Sequence, residues 1–115
     1  MDRMSLERMR RVDEAVREVL SDVLTHEVKD PRVGFVTVTD VKTSPDLSHA
    51  RVYVSVLGDA EAVSASLEGL RSAQGFLQGR IGGELRLKHT PTLTFFHDDT
   101  AERAQRLERL MDEQA

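Results

Sequence analysis

Four histidines, His26, His49, His89 and His97, are the first residues to weigh for acid–base or metal chemistry, and their spacing supports neither. None stands in an HExxH-type pair, which would put two imidazoles on one helical face. His97-Asp98-Asp99 offers three possible ligands in a row. An Asp pair directly before a helix is, however, what the positive end of a helix dipole attracts. Ser44, Ser48 and Ser55 lack the strand–turn–helix setting of a nucleophile elbow. With no cysteine, disulfides, thiolate metal sites and cysteine nucleophiles are excluded. Only a carboxylate pair assembled by folding is left open by spacing. The sequence names no catalytic residue, no metal ligand and no cofactor, and an enzyme is the reading with least support.

The glycines say more. Five of the seven, Gly69, Gly75, Gly79, Gly82 and Gly83, fall within fifteen residues that otherwise carry helical periodicity. Each glycine inside a helix costs about 0.5–1 kcal/mol relative to alanine, so the cluster marks bent backbone or close approach. A break at Ser72-Ala73-Gln74-Gly75, followed by a second helix, would expose free backbone N–H groups at a positive dipole end, a physical anion site. Arg71 before it and Arg80, Arg86 and Lys88 after it would supply countercharge. An ordinary kinked core helix with salt-bridged arginines outside fits the same residues.

A formal net charge of −4 argues against a polyanion partner when taken whole. Its distribution does not. Residues 1–12 balance at +2 and residues 71–90 at +3, while 13–70 carry −6 and 91–115 carry −3. Local patches decide where a polyanion sits. Arg8, Arg10 and Arg11 lie in the first patch, although Glu7/Arg11, Arg10/Glu14 and Asp13/Arg17 are four apart and fit an ordinary solvated ion-pair face. Arg32, Lys42 and Arg51 are scattered beyond it.

These groups need elements to position them. Leu6, Met9, Val12, Val16, Val19, Leu20, Val23 and Leu24 predict a helix from Leu6 to about Val28, with Ser5 as N-cap and Asp30-Pro31 as the stop. Gly34 to Val41 and Ala50 to Leu57 predict an antiparallel hairpin around Ser44–Ser48, with Val52, Val54 and Val56 on one face and Arg51, Tyr53 and Ser55 on the other. A helix over Ala60–Arg71 and another from Phe76 towards Lys88 flank the break. Thr92–His97 is a third strand. Asp99 and Glu102 resemble a capping box before a helix over Ala101–Glu113 resting on Ala104, Leu107, Leu110 and Met111. The five aromatics, Phe35, Tyr53, Phe76, Phe95 and Phe96, are assigned mostly to the core, which disfavours recognition by base stacking.

With 115 residues, 39% hydrophobic and 31% charged, the chain suits one globular domain over 1–115, with flexible ends at 1–5 and 112–115. No apolar run reaches the roughly 18 residues of a membrane span, and MDRMSLERMRR lacks a signal peptide's apolar stretch. A cytoplasmic protein that touches no membrane is expected.

Two stretches carry a resemblance. VKDPRVGFVTVTDVKTSPDLSHARVYVSVLG, residues 28–58, and SAQGFLQGRIGGELRLKHTPTLTFFHDDT, residues 72–100, closely resemble the ribosome-binding factor A family, and Arg11-Val12 before the long helix also fits. The resemblance implies an α+β fold of the type II K-homology kind, α-β-β-α-kink-α-β-α, with helices packed on one face of a three-stranded sheet. It further implies a non-enzymatic, monomeric maturation factor. Such a factor binds the free 30S ribosomal subunit through 16S rRNA, assists late rRNA processing or folding and cold adaptation, and is released by GTPase maturation factors. The family's Ala-x-Gly kink falls on Ala73-Gln74-Gly75. The literal G-x-x-G, Gly79-Arg80-Ile81-Gly82, is assigned to helix interior because Leu77, Ile81 and Leu85 keep helical spacing through it. Many members carry a further basic tail, whereas this sequence closes on Met111-Asp112-Glu113-Gln114-Ala115, so contacts are expected from the domain's own surface. The RNA-binding set is therefore Arg71, Ser72, Ala73, Gln74, Gly75, Arg80, Arg86 and Lys88, then Arg8, Arg10 and Arg11, then Arg32, Lys42 and Arg51. A generic K-homology module without ribosome specificity and a dimeric domain binding a small metabolite are the alternatives.

Overall fold

The structure, a computed structural model, describes residues 3–114, with side chains from Leu6 to Glu113. The β-branched runs form β1 (Val36–Thr43), β2 (His49–Val56) and β3 (Thr92–His97), a sheet in the order β1-β2-β3. β1 and β2 are antiparallel, with Val41 opposite Val52 and Lys42 opposite Arg51. β3 runs parallel to β2, with Val52 beside Phe95 and Tyr53 beside Phe96. A bulge between Val38 and Asp40 takes up one extra residue, so Val38 and Val41 both point inward. The hairpin turn is tied by Asp46, whose Oδ1 accepts from the hydroxyls of Ser44 and Ser48 at 2.7 Å each. Those bonds and the Ser48 amide hold the Asp46 carboxyl down at about 2.

A parallel pair needs a crossover, and here it is two helices, α2 (Ala60–Ser72) and α3 (Gln74–Leu85), broken at Ala73. The Asp59 carboxylate caps α2 by accepting from Ala62 N at 2.8 Å. α1 (Arg3–His26) precedes the sheet. It starts earlier than its apolar spacing predicts, so Ser5 lies within the helix rather than at its cap. α1, α2 and α3 cover one face. Val16, Leu20 and Val23, Leu70, and Leu77 and Ile81 close a core over Val38, Val41, Val52, Val54, Leu93 and Phe95. This is the type II K-homology arrangement.

α4 (Thr100–Gln114) is the exception. Leu107, Leu110 and Met111, expected to pack inward, are 59%, 56% and 63% exposed, so no apolar stripe of this helix is buried. Its first turns border the sheet instead, where Ala101, Glu102 and Gln105 line a cleft of about 480 Å³ with Phe35, Thr37, Ser55 and Leu57. The capping box is also rearranged. Asp98, not Asp99, accepts from Thr100 N at 3.0 Å, while Asp99 bridges Arg103 at 2.9 Å. The projecting helix explains a radius of gyration of 16.1 Å, where a compact chain of this length would have about 13 Å. Helix occupies residues 3–5 and 112–114 of the ends expected to be flexible; residues 1–2 and 115 lie outside the described residues.

The aromatics also depart from expectation. Only Phe95 is buried; Phe35, Phe76 and Phe96 are exposed and Tyr53 is half-buried. No helix among the described residues is long and apolar enough to cross a membrane.

Candidate nucleic-acid interface

The bend between α2 and α3 sits on Ala73, at φ −87° and ψ 1°, whose N–H is shared by the carbonyls of Gly69 and Leu70 at 3.1 Å. No side chain caps the first turn of α3. Arg71, Ser72 and Gly75 are exposed around it. Gln74 is not available to a ligand. Its Nε2 donates to Leu93 O at 2.8 Å and to Gln78 Oε1 at 3.0 Å, and that Oε1 in turn accepts from Leu93 N. The amide pair ties the kink to the start of β3. Because Thr92 N donates to Ser48 O, the kink, the start of β3 and the hairpin turn share one end of the sheet.

At that end the sequence-separated basic groups converge. Arg8 on α1 and Lys88 and His89 in the loop after α3 line a cleft of about 300 Å³ with Met9, Pro45, Asp46 and Leu47. Arg86 ends α3 in the left-handed region, φ 49° and ψ 40°, a conformation that disfavours a side chain, and the residue is exposed. None of Arg8, Arg71, Arg86 and Lys88 has an ion-pair partner among the described residues, so all four cations are free to meet an anion. Nearest in sequence terms to this end, α3 itself presents bare backbone. Gly75, Gly79 and Gly83, four apart, are exposed, and a Cβ at any of them would meet nothing within 4 Å. Gly69 is the opposite case, since a Cβ there would lie 2.6 Å from Val33 Cγ2. The G-x-x-G of 79–82 is interior to α3, as its spacing predicts.

Other members of the expected set lie elsewhere, and Arg80 and Arg32 are engaged there. Arg80 pairs with Glu27 and, at 3.3 Å, with Glu84, in a groove that also holds Glu18 and Asp22. Arg32 is clasped by Asp30 at 2.7 Å and Glu68 at 3.4 Å, and the guanidinium holds the Asp30 carboxyl at about 2. Arg10 shares a shallow cleft with Asp13, Glu14, Arg17, Asp40 and Lys42, and Arg11 is exposed. The four-apart pairs foreseen on α1 do not form: Arg17 takes Glu14, three residues away, and Asp13 accepts from Thr43. Lys42 and Arg51 face each other across β1 and β2 on the uncovered side of the sheet. His89, Met9 and Leu47 stand outside the RNA-binding set expected from sequence, because only folding brings the hairpin turn to the loop after α3. Among the described residues no group of three His, Asp or Glu side chains could hold a metal ion.

A family model described as ribosome-binding factor A matches residues 8–111. The chain belongs to the ribosome-binding factor A family. It is 42% identical over 108 residues to the ribosome-binding factor A of Halothermothrix orenii, covering 94% of this chain and 88% of that one. The fold matches the crystal structure of ribosome-binding factor A from Thermus thermophilus with a TM-score of 0.69, at 24% identity, over 77% of this chain and 94% of that one. It also matches a homology model of the Thermus thermophilus protein fitted into the cryo-EM map of a 30S–RbfA complex, with a TM-score of 0.63 and 26% identity, over 75% and 90% of the two chains. Ala73-Gln74-Gly75, where the resemblance implies a kink, lies at the bend between α2 and α3.

Proposed function

We propose that this protein is a monomeric, cytoplasmic maturation factor of the small ribosomal subunit. It binds the immature 30S subunit through 16S rRNA, assists late rRNA processing or folding, supports growth in the cold and is released by a GTPase. The observation that carries the reading is the cleft that brings Arg8 on α1 together with Lys88 and His89 after α3 at the hairpin-turn end of the sheet, in a family with a member fitted to a 30S complex. Phosphate contacts from this surface fix position and carry no base readout. By holding one arrangement of unfinished RNA, such a factor shifts the folding population and must afterwards leave. Arg80, Arg32 and Gln74 drop out of the proposed surface, because each is committed to intramolecular partners.

The test is co-sedimentation with precursor and mature small subunits across a salt series. Wild type is expected to bind precursor subunits with a slope of log K against log[salt] of roughly −4, and Arg8→Glu with Lys88→Glu to flatten it by about two units. A folded double variant with unchanged slope places the interface elsewhere. Equal competition by unrelated structured RNA favours a generic K-homology module.

A further inference from the structure

The face of the sheet opposite α1, α2 and α3 is bordered by the first turns of α4 at its Thr37–Ser55 end and otherwise open, and its open residues are not those of a merely solvated surface. Outward side chains come in rows across the strands. One row is Lys42, Arg51 and Thr94; the next is Asp40, Tyr53 and Phe96. The rings of Tyr53 and Phe96 stack with centroids 5.6 Å apart and 27° between planes, and Phe96 remains 41% exposed. An aromatic pair left part-covered forgoes a share of the stabilisation, about 1.5–3 kcal/mol for a ring fully buried. The neighbouring row sets two cations directly opposite each other, which is unfavourable across strands. Asp40 relieves this only at Lys42, 3.8 Å away, and Arg51 has no ion-pair partner among the described residues. A stacking surface, a cation pair one row away at roughly 7 Å whose Arg51 has no ion-pair partner among the described residues, and hydroxyls from Thr92 and Thr94 are together complementary to unpaired nucleic acid.

We propose that this uncovered sheet face is a second RNA site, taking about two nucleotides of unpaired strand. A base stacks on Phe96 beside Tyr53, and its phosphate lies between Lys42 and Arg51. The site rests on the reading of the protein as an rRNA binder, and it differs in kind from the kink end, where cations meet the backbone of structured RNA. It also runs against the expectation that most aromatics are core and recognition by base stacking disfavoured.

Tyr53 is the only tyrosine and there is no tryptophan, so intrinsic emission reports this face alone. The full chain is titrated with a short oligouridylate while tyrosine emission is followed. Saturable quenching is expected, with Kd raised roughly five-fold or more by Phe96→Leu and by Arg51→Ala. Phe96→Leu keeps apolar bulk, and circular dichroism verifies that each variant is folded. Absence of quenching, or an unchanged Kd in both folded variants, overturns the proposal. So does loss of 30S binding in Phe96→Leu with oligouridylate binding intact, which assigns the face to a ribosomal protein. Failure of wild type to co-sediment with 30S while oligouridylate still quenches Tyr53 removes the ribosomal reading and leaves this site standing.

Discussion

Arg80 on α3 and Glu27, just past the end of α1, form an ion pair that ties the two helices together, with Glu84 on the same guanidinium. The sequence grouped Arg80 with Arg86 as one basic stretch, yet the two play opposite parts. Arg80→Glu would set a new carboxylate among Glu18, Glu27 and Glu84, and is expected to cost about 1 kcal/mol, a melting shift of a few degrees. Arg86→Gly relieves a left-handed backbone and is expected to stabilise by about 0.5–1 kcal/mol while weakening 30S binding. Calorimetry beside co-sedimentation checks both, and a stable Arg80→Glu that loses binding would return Arg80 to the interface.

The exposed glycines of α3 give a second contrast. Gly79→Ala and Gly83→Ala meet no neighbour and should each stabilise by about 0.5–1 kcal/mol. Gly69→Ala, forced against Val33, should destabilise by about 1–3 kcal/mol. If RNA backbone approaches the bare side of α3, the stabilised double variant binds 30S several-fold more weakly. Urea melts and a binding isotherm on the same samples decide it.

Acid should loosen the structure within a narrow window. Asp30, Asp46 and Asp98 are each held at about 2, against an ordinary 3.8, so their ionised forms are favoured in the folded state. Their contribution is whole above about pH 4 and is lost as pH falls towards 2. Asp98 is the most informative of the three. Held down first by the Thr100 hydroxyl and then by Thr39, which donates at 2.7 Å, it joins β1 to the root of α4. Denaturant midpoints from pH 5 to pH 2 should fall less steeply for Asp98→Asn.

α4 should report its own independence. A helix of 15 residues with its apolar side in water is marginal alone, so its amides are expected to exchange orders of magnitude faster than those of Leu20 or Ile81. Comparable protection along α4 would mean that a contact covers it in solution.

All seven elements were legible, because each is short-range: alternation in residues 49–56, fourfold spacing in α1, and a proline or glycine at most boundaries. The interior placement of 79–82 followed from the same spacing. What escaped was non-local. Arg80 and Glu27 are 53 residues apart, and nothing near either announces the pair. Asp98, at the root of α4, meets Thr39, 59 residues away. The aromatics depart for a different reason. TLTFFH puts Phe95 and Phe96 on opposite faces, and aromatic type alone does not say which face is covered.

The glutamine pair at the kink has an effect beyond anchoring α3. β3 is an outer strand, and such strands expose N–H and C=O groups that can recruit another chain. At Leu93 both groups are taken, the carbonyl by Gln74 and the amide by Gln78, each side chain standing where a fourth strand's backbone would be. Two side-chain amides thus imitate a neighbouring peptide and stopper the edge. Polymerisation through β3 would first have to evict them, so they serve as a guard against fibre growth written into a helix rather than into the sheet.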